Sequence, residues 1–165
     1  MKQLKLGSKW VDDVANPKAS EIDDVYMNER LRRNHRFSDN PKALSIYHHS
    51  HLVHDLAKAG GEVGDVLDWA KMHDCHEYAT GDIPTPIKRL MGDRIGMIER
   101  AWDRALCESA GVKYPTESTR EIVKKYDKIS ASIEWYYILG EEYHPDFEHV
   151  PLCDVPQWVL RYHKQ

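Results

Sequence analysis

Residues 62–88 read EVGDVLDWAKMHDCHEYATGDIPTPIK, and the first half of this stretch decides the fold. Val63, Val66, Leu67 and Ala70 recur at i, i+3, i+4 and i+7, the apolar stripe of an amphipathic helix rather than the alternation of a strand. Continued along the same helix, the stripe lands on His73, Asp74 and Glu77, which therefore project where a core should be. Asp65, Asp68, Lys71 and Cys75 fall on the opposite, solvated face. A buried carboxylate without partners is costly or changes its protonation. One histidine on an apolar face is usually a satisfied core residue. Three titratable groups on one stripe reverse that reading and call for a cation or a water-filled cleft.

The rest of the chain repeats the helical period. Helices are predicted over about 20–33, 42–59, 62–79, 92–110 and 118–139, with a short one near 155–162. Ser118 with Glu121 suggests a capping box for the fifth helix, and Gly111 suits the left-handed residue that closes the fourth. No period-2 run of β-branched residues argues for a strand. The expectation is an all-α domain spanning 1–165, a compact bundle of about five or six helices. Its tail, 140–165, should pack on the core.

Length and composition fit that expectation. The chain has 165 residues, 41% hydrophobic and 30% charged, enough for one domain with a real core. A formal charge of −4 argues against a nucleic-acid polymer or an anionic membrane as the main partner. No apolar run approaches the roughly 18 residues that span a bilayer, and the first residues lack the apolar core of a signal peptide. Cys75, Cys107 and Cys153 are scattered and odd in number, which suits a reducing cytoplasm.

Six of the ten histidines lie between His48 and His76. In the second helix, Ile46, Val53, Leu56 and Ala57 form a stripe that includes His49, whereas His51 and His54 fall on the solvent side. His48 sits with Leu44 and Leu52, so spacing leaves His48 and His49 as competitors. In the fifth helix the core stripe is Ile122, Tyr126, Ile129 and Ile133. Asp127 lies at its edge beside Ser130 and Ala131, small enough to leave room for an ion, and its position fits a surface acid equally well. Two imidazoles with two carboxylates make a mixed N/O set suited to Zn, Co, Mn or Fe.

An isolated histidine, a His-Asp pair and a distant aspartate, all on helices, resemble the HD-domain metal-dependent phosphohydrolases. "HHS" at 48–50, "HDCHEYATGDIPTPIK" at 73–88 and "KKYDKISA" at 124–131 are similar to the YfbR-type 5'-deoxynucleotidases and to the short phage dATP triphosphohydrolases. The resemblance runs from about Arg36 to Ser132, the expected metal-binding core. It implies one divalent transition metal (Zn, Co or Mn) on His49, His73, Asp74 and Asp127, with added Mg for a polyphosphate substrate. Glu77 and Asp82 match the family's proton-handling acids, and Arg36 its substrate-end arginine. Phe37 stands where relatives often carry tryptophan. By the same resemblance Lys88 and Lys124 meet phosphate oxygens, although either lysine alone would read as solvated surface. Phe37 and Pro86 would offer a nucleobase a flat apolar face, with ordinary packing the equal alternative.

The implied activity is removal of 5'-phosphate groups from a small deoxynucleotide, either one phosphate from a dNMP or triphosphate from a dNTP. Glu77 would orient the attacking water and Asp82, freed by Gly81, would serve the leaving oxygen. A signalling-nucleotide hydrolase of the same superfamily is one alternative, and GDIPTPIK argues against it. A non-catalytic nucleotide- or metal-binding module is another. The family also implies a homo-oligomer.

Overall fold

The structure, a computed structural model, describes residues 3–164 and is mostly helical, as the periodicity predicts. The chain opens with strands β1 (Leu4–Leu6) and β2 (Lys9–Val11), an antiparallel hairpin pairing Leu4 with Val11. Helices follow as α1 (Asp24–Arg33), α2 (Ile46–Ala59), α3 (Asp65–Met72), α4 (Glu77–Thr80), α5 (Thr85–Met91), α6 (Asp93–Ala110) and α7 (Glu117–Ile133). A π-helical turn, Glu134–Ile138, extends α7, and 3-10 turns at Leu152–Asp154 and Val159–Lys164 end the chain.

The hairpin was not expected, because each strand is only three residues long and too short to show a period. Its turn rests on Gly7 at φ +63, where a side chain would be strained and would also meet Tyr26. Ser8 donates from its N–H and hydroxyl to Asp23 Oδ2 at 2.9 and 2.6 Å. The other oxygen of Asp23 caps α1 by accepting from Tyr26 N–H at 3.0 Å. One carboxylate thus joins the hairpin to the first helix.

The helix predicted over 62–79 is really two. α3 ends at Met72, and the backbone turns through residues 73–76 before α4 begins at Glu77. That turn puts Cys75 into the core beside Leu31, Tyr78 and Trp102, not on the solvated face expected of it. Val63, expected to be apolar core, is 76% exposed. Together with α5, this break gives more helices than the bundle expected. The cap of α7 also differs: Thr116, not Ser118, accepts from Thr119 N–H at 3.1 Å. Gly111 closes α6 at φ +66, as predicted.

α2 is the hub. Ile46 packs with the hairpin and α1, Val53 and Ala57 with Trp69 and Val123, and Leu52 with Ile133, Val155 and Val159 from the tail. Burying such a side chain fully contributes about 1.5–3 kcal/mol. Their face of α2 is therefore held inside on every side. His49 shares that face and is 0% exposed.

Candidate metal centre

Three segments meet at His49: the turn after α3, the middle of α7, and residues 34–45 ahead of α2. His49, His73 and Asp74 bring ligand-type atoms within 4.8 Å of one another and could hold a metal ion. His49 Nε2 stands 3.5 Å from Asp74 Oδ2 and 3.1 Å from Asp127 Oδ1, and His73 Nε2 stands 3.3 Å from Asp74 Oδ2. Asp127 thus reaches His49 but lies outside the compact group of three. His48, the competitor, is half-buried and bonds Ser45 Oγ through Nδ1 at 2.8 Å. His51 packs on Tyr47 and His54 pairs with Asp55.

Hydrogen bonds set which nitrogens face inward. Ser130 Oγ commits its proton to the Asp127 carbonyl at 2.8 Å, so it accepts from His49 Nδ1–H at 3.3 Å. His73 Nδ1–H donates to the Ala70 carbonyl at 2.9 Å. Both imidazoles therefore turn Nε2 toward carboxylate oxygens. Buried without a hydrogen-bond partner are His49 Nε2, His73 Nε2, Asp127 Oδ1 and Arg36 Nη1. Each such atom costs about 1–3 kcal/mol. Together they approach a sizeable part of a domain's net stability of about 5–15 kcal/mol. A cation among them would satisfy two nitrogens and the acids at once, so the donor set fits a metal.

The electrostatics agree. Burial, then the Arg36 charge, lowers His49 to about 4, so its imidazole is neutral and fit to ligate. Burial pulls His73 down too, but the Asp74 carboxylate outweighs it and lifts His73 to about 9. Asp74 is held well below the usual carboxylate range, where His73, His49 and Arg36 overcome its burial. Asp127 falls to about 2, where His49 and then Arg36 overcome its burial. The two ionised carboxylates are thus balanced by the Arg36 guanidinium and the His73 imidazole.

Arg36 enters from an unusual backbone. Phe37, Ser38 and Asp39 have φ of 54, 60 and 59°, a left-handed turn of three non-glycine residues. Each costs about 1–2 kcal/mol. The turn is pinned by Arg36 N–H to the Leu44 carbonyl at 3.0 Å and His35 N–H to Asp39 Oδ1 at 2.9 Å. Strain of this kind persists where the surroundings over-determine it, often at functional sites. It carries the guanidinium to 3.8 Å from Asp74 and 3.6 Å from Asp127.

The remaining sequence candidates divide. Glu77 is buried, and desolvation, then the charges of Asp74 and Asp82, push its carboxyl up to about 8. Asp82 sits across from the strained turn, accepting from Ser38 N–H at 3.4 Å. Lys88 reaches Glu77 at 3.9 Å but is held more closely by Glu99 at 2.8 Å. Phe37 packs against Trp135 and Phe147, with ring centroids 5.8 and 6.4 Å away, in a cluster that includes His144. Pro86 is exposed on α5. Lys124 is exposed and lines a separate groove between α7 and the 146–154 segment, with no ion pair among the described residues.

Two features escaped the sequence reading. Glu134, 0% exposed, accepts from Leu44 N–H at 2.6 Å and faces Arg36 Nε at 3.4 Å. Burial raises its carboxyl to about 7 against the opposing pull of Arg36. Its signal was its spacing, because Asp127, Ser130 and Glu134 fall at i, i+3 and i+7 on one face. Ser130 is also more than a small neighbour that makes room, since it orients His49. The second feature is a buried polar chain behind the site. His76 Nδ1 bonds Asp103 at 3.0 Å and Nε2 faces Glu99 at 3.6 Å, while Arg120 meets Asp103 at 3.4 Å.

That chain carries a pH signature. Burial raises the Glu99 carboxyl, but His76 and Lys88 outweigh it and bring it from 4.5 down to about 2. A carboxyl depressed in the fold stabilises above its unfolded value and loses that contribution as pH falls through the folded one. The urea midpoint of wild type should exceed that of Glu99→Gln by a constant margin above pH about 5. The margin should close as pH falls toward about 2. A margin independent of pH would show that pairing of the charge is not its source.

No protein-family model matches the chain, and no curated protein shows significant similarity to it.

Proposed function

We propose that this protein is an HD-type metal-dependent phosphohydrolase that removes 5'-phosphate groups from deoxynucleotides. One observation carries the reading: two imidazoles, each fixed through Nδ1, turn unpartnered Nε2 atoms onto the Asp74 and Asp127 carboxylates. His49, His73, Asp74 and Asp127 would hold one divalent transition ion, of the Zn, Co or Mn type that mixed N/O sets favour. When bound, such an ion supplies Lewis acidity toward a phosphate oxygen and toward water.

The chain's own groups supply the rest. Glu77 is buried and raised to about 8, so it is mostly protonated near neutral pH; ionised, as a cation at Asp74 would favour, it would take a proton from an attacking water. Asp82, which accepts from Ser38 N–H, would serve the leaving oxygen. Arg36 offers its Nη1 edge to phosphate charge, and Lys88 adds a cation beside Glu77.

Incubating metal-loaded protein with a panel of dNMPs and dNTPs tests this. Release of free phosphate assigns a 5'-nucleotidase and release of inorganic triphosphate a triphosphohydrolase. Full metal loading without turnover of any nucleotide would leave a binding module and end the proposal. Turnover confined to cyclic dinucleotides or alarmones would assign the signalling class.

A further inference from the structure

We propose that Glu134 is the positioning residue of this site, its carboxylate paired with Arg36 Nε so that the Nη1 edge stays turned toward the Asp74 and Asp127 side, where a phosphate oxygen would meet it. This rests on the phosphate-ester reading of the cleft. Glu134 Oε1 is engaged by Leu44 N–H at 2.6 Å, leaving Oε2 to face Arg36 Nε at 3.4 Å and His49 Nδ1 at 3.9 Å. On its other edge Arg36 Nη1 is 3.6–3.8 Å from Asp127 and Asp74 and is unpartnered. The guanidinium therefore faces Glu134 along one edge and the buried acids of the site along the other.

In its ionised form, which Arg36 favours against burial, Glu134 adds charge beside the guanidinium. Any neutral acceptor could satisfy Leu44 N–H, and burying a carboxylate for that alone is expensive. The acid sits at the first residue of the π-helical turn that continues α7, a local widening that concentrates at functional sites. With a cation held by Asp74 and Asp127, those two carboxylates no longer neutralise Arg36. Glu134 then balances the buried guanidinium against repulsion by the ion. The left-handed turn at 37–39 restrains the arginine's backbone while Glu134 restrains its head.

Glu134→Gln keeps an acceptor for Leu44 N–H and removes the charge. Calorimetric titration of the cobalt-loaded protein with inorganic phosphate, beside cobalt affinity and the urea midpoint, reads the effect without turnover. Cobalt affinity should stay within about threefold, while phosphate affinity falls at least about tenfold and KM rises more than kcat falls. In an Arg36→Gln background the same substitution should change phosphate affinity by less than about twofold. An undiminished tenfold loss in that background overturns the proposal. So does an equal loss of cobalt affinity, or no phosphate binding by wild type. If wild type binds phosphate but hydrolyses no ester, the functional reading falls and the paired variants still decide the role of Glu134.

Discussion

Asp74→Asn should abolish metal binding and, with it, hydrolysis. Asp74 Oδ2 is the oxygen both imidazoles face, at 3.5 Å from His49 and 3.3 Å from His73. An amide of the same shape removes the charge that holds a cation there and sets an N–H₂ or a weaker oxygen in its place. Bound metal should drop from about one ion per chain to less than about a tenth at micromolar metal. Loss of several kcal/mol of Lewis-acid stabilisation translates to a rate loss of at least about a thousandfold. The fold should survive, because Asp74 is partly solvated and lies outside the three apolar clusters. Elemental analysis, turnover and circular dichroism on one preparation provide the check. Full metal occupancy with turnover within tenfold of wild type would remove Asp74 from the ligand set.

Glu77→Gln separates chemistry from metal binding. Glu77 lies outside the group of three, and desolvation and the charges of Asp74 and Asp82 raise its proton affinity. The amide keeps size and burial but cannot accept a proton. Metal content should stay at the wild-type level while kcat falls by about 10²–10⁴, the span associated with a positioned general base. Removing a buried carboxylate that burial disfavours should leave the urea midpoint equal or higher. Turnover within threefold of wild type would show that Glu77 takes no proton, and attention would pass to Asp82.

Much of the centre was legible because helical spacing is a strong constraint. The stripe on α2 carried His49; the stripe predicted from Val63 through Ala70 pointed to His73, Asp74 and Glu77, although Val63 is exposed and the helix ends before them. The break at 73–76 did not show, since His-Asp-Cys-His contains neither glycine nor proline to announce it. It nevertheless reverses Cys75 from surface to core. Lys124 was drawn to the site by the resemblance, yet it is exposed and lines a separate groove, as its position alone suggested. Phe37 reads as an apolar face beside Arg36, and only the folded tail brings Phe147 and His144 to its cluster.

By itself the sequence determined the all-α class, the inward face of α2 and the residue types that could ligate a cation. These follow from period and composition, which are local properties of the chain. Helical spacing left His48 and His49 level, and the tertiary structure brings His49 to the His-Asp pair, sets Ser130 against its Nδ1 and puts Glu134 beside Arg36. Those outcomes depend on distances between segments separated by tens of residues, which packing around α2 sets and no helical period records.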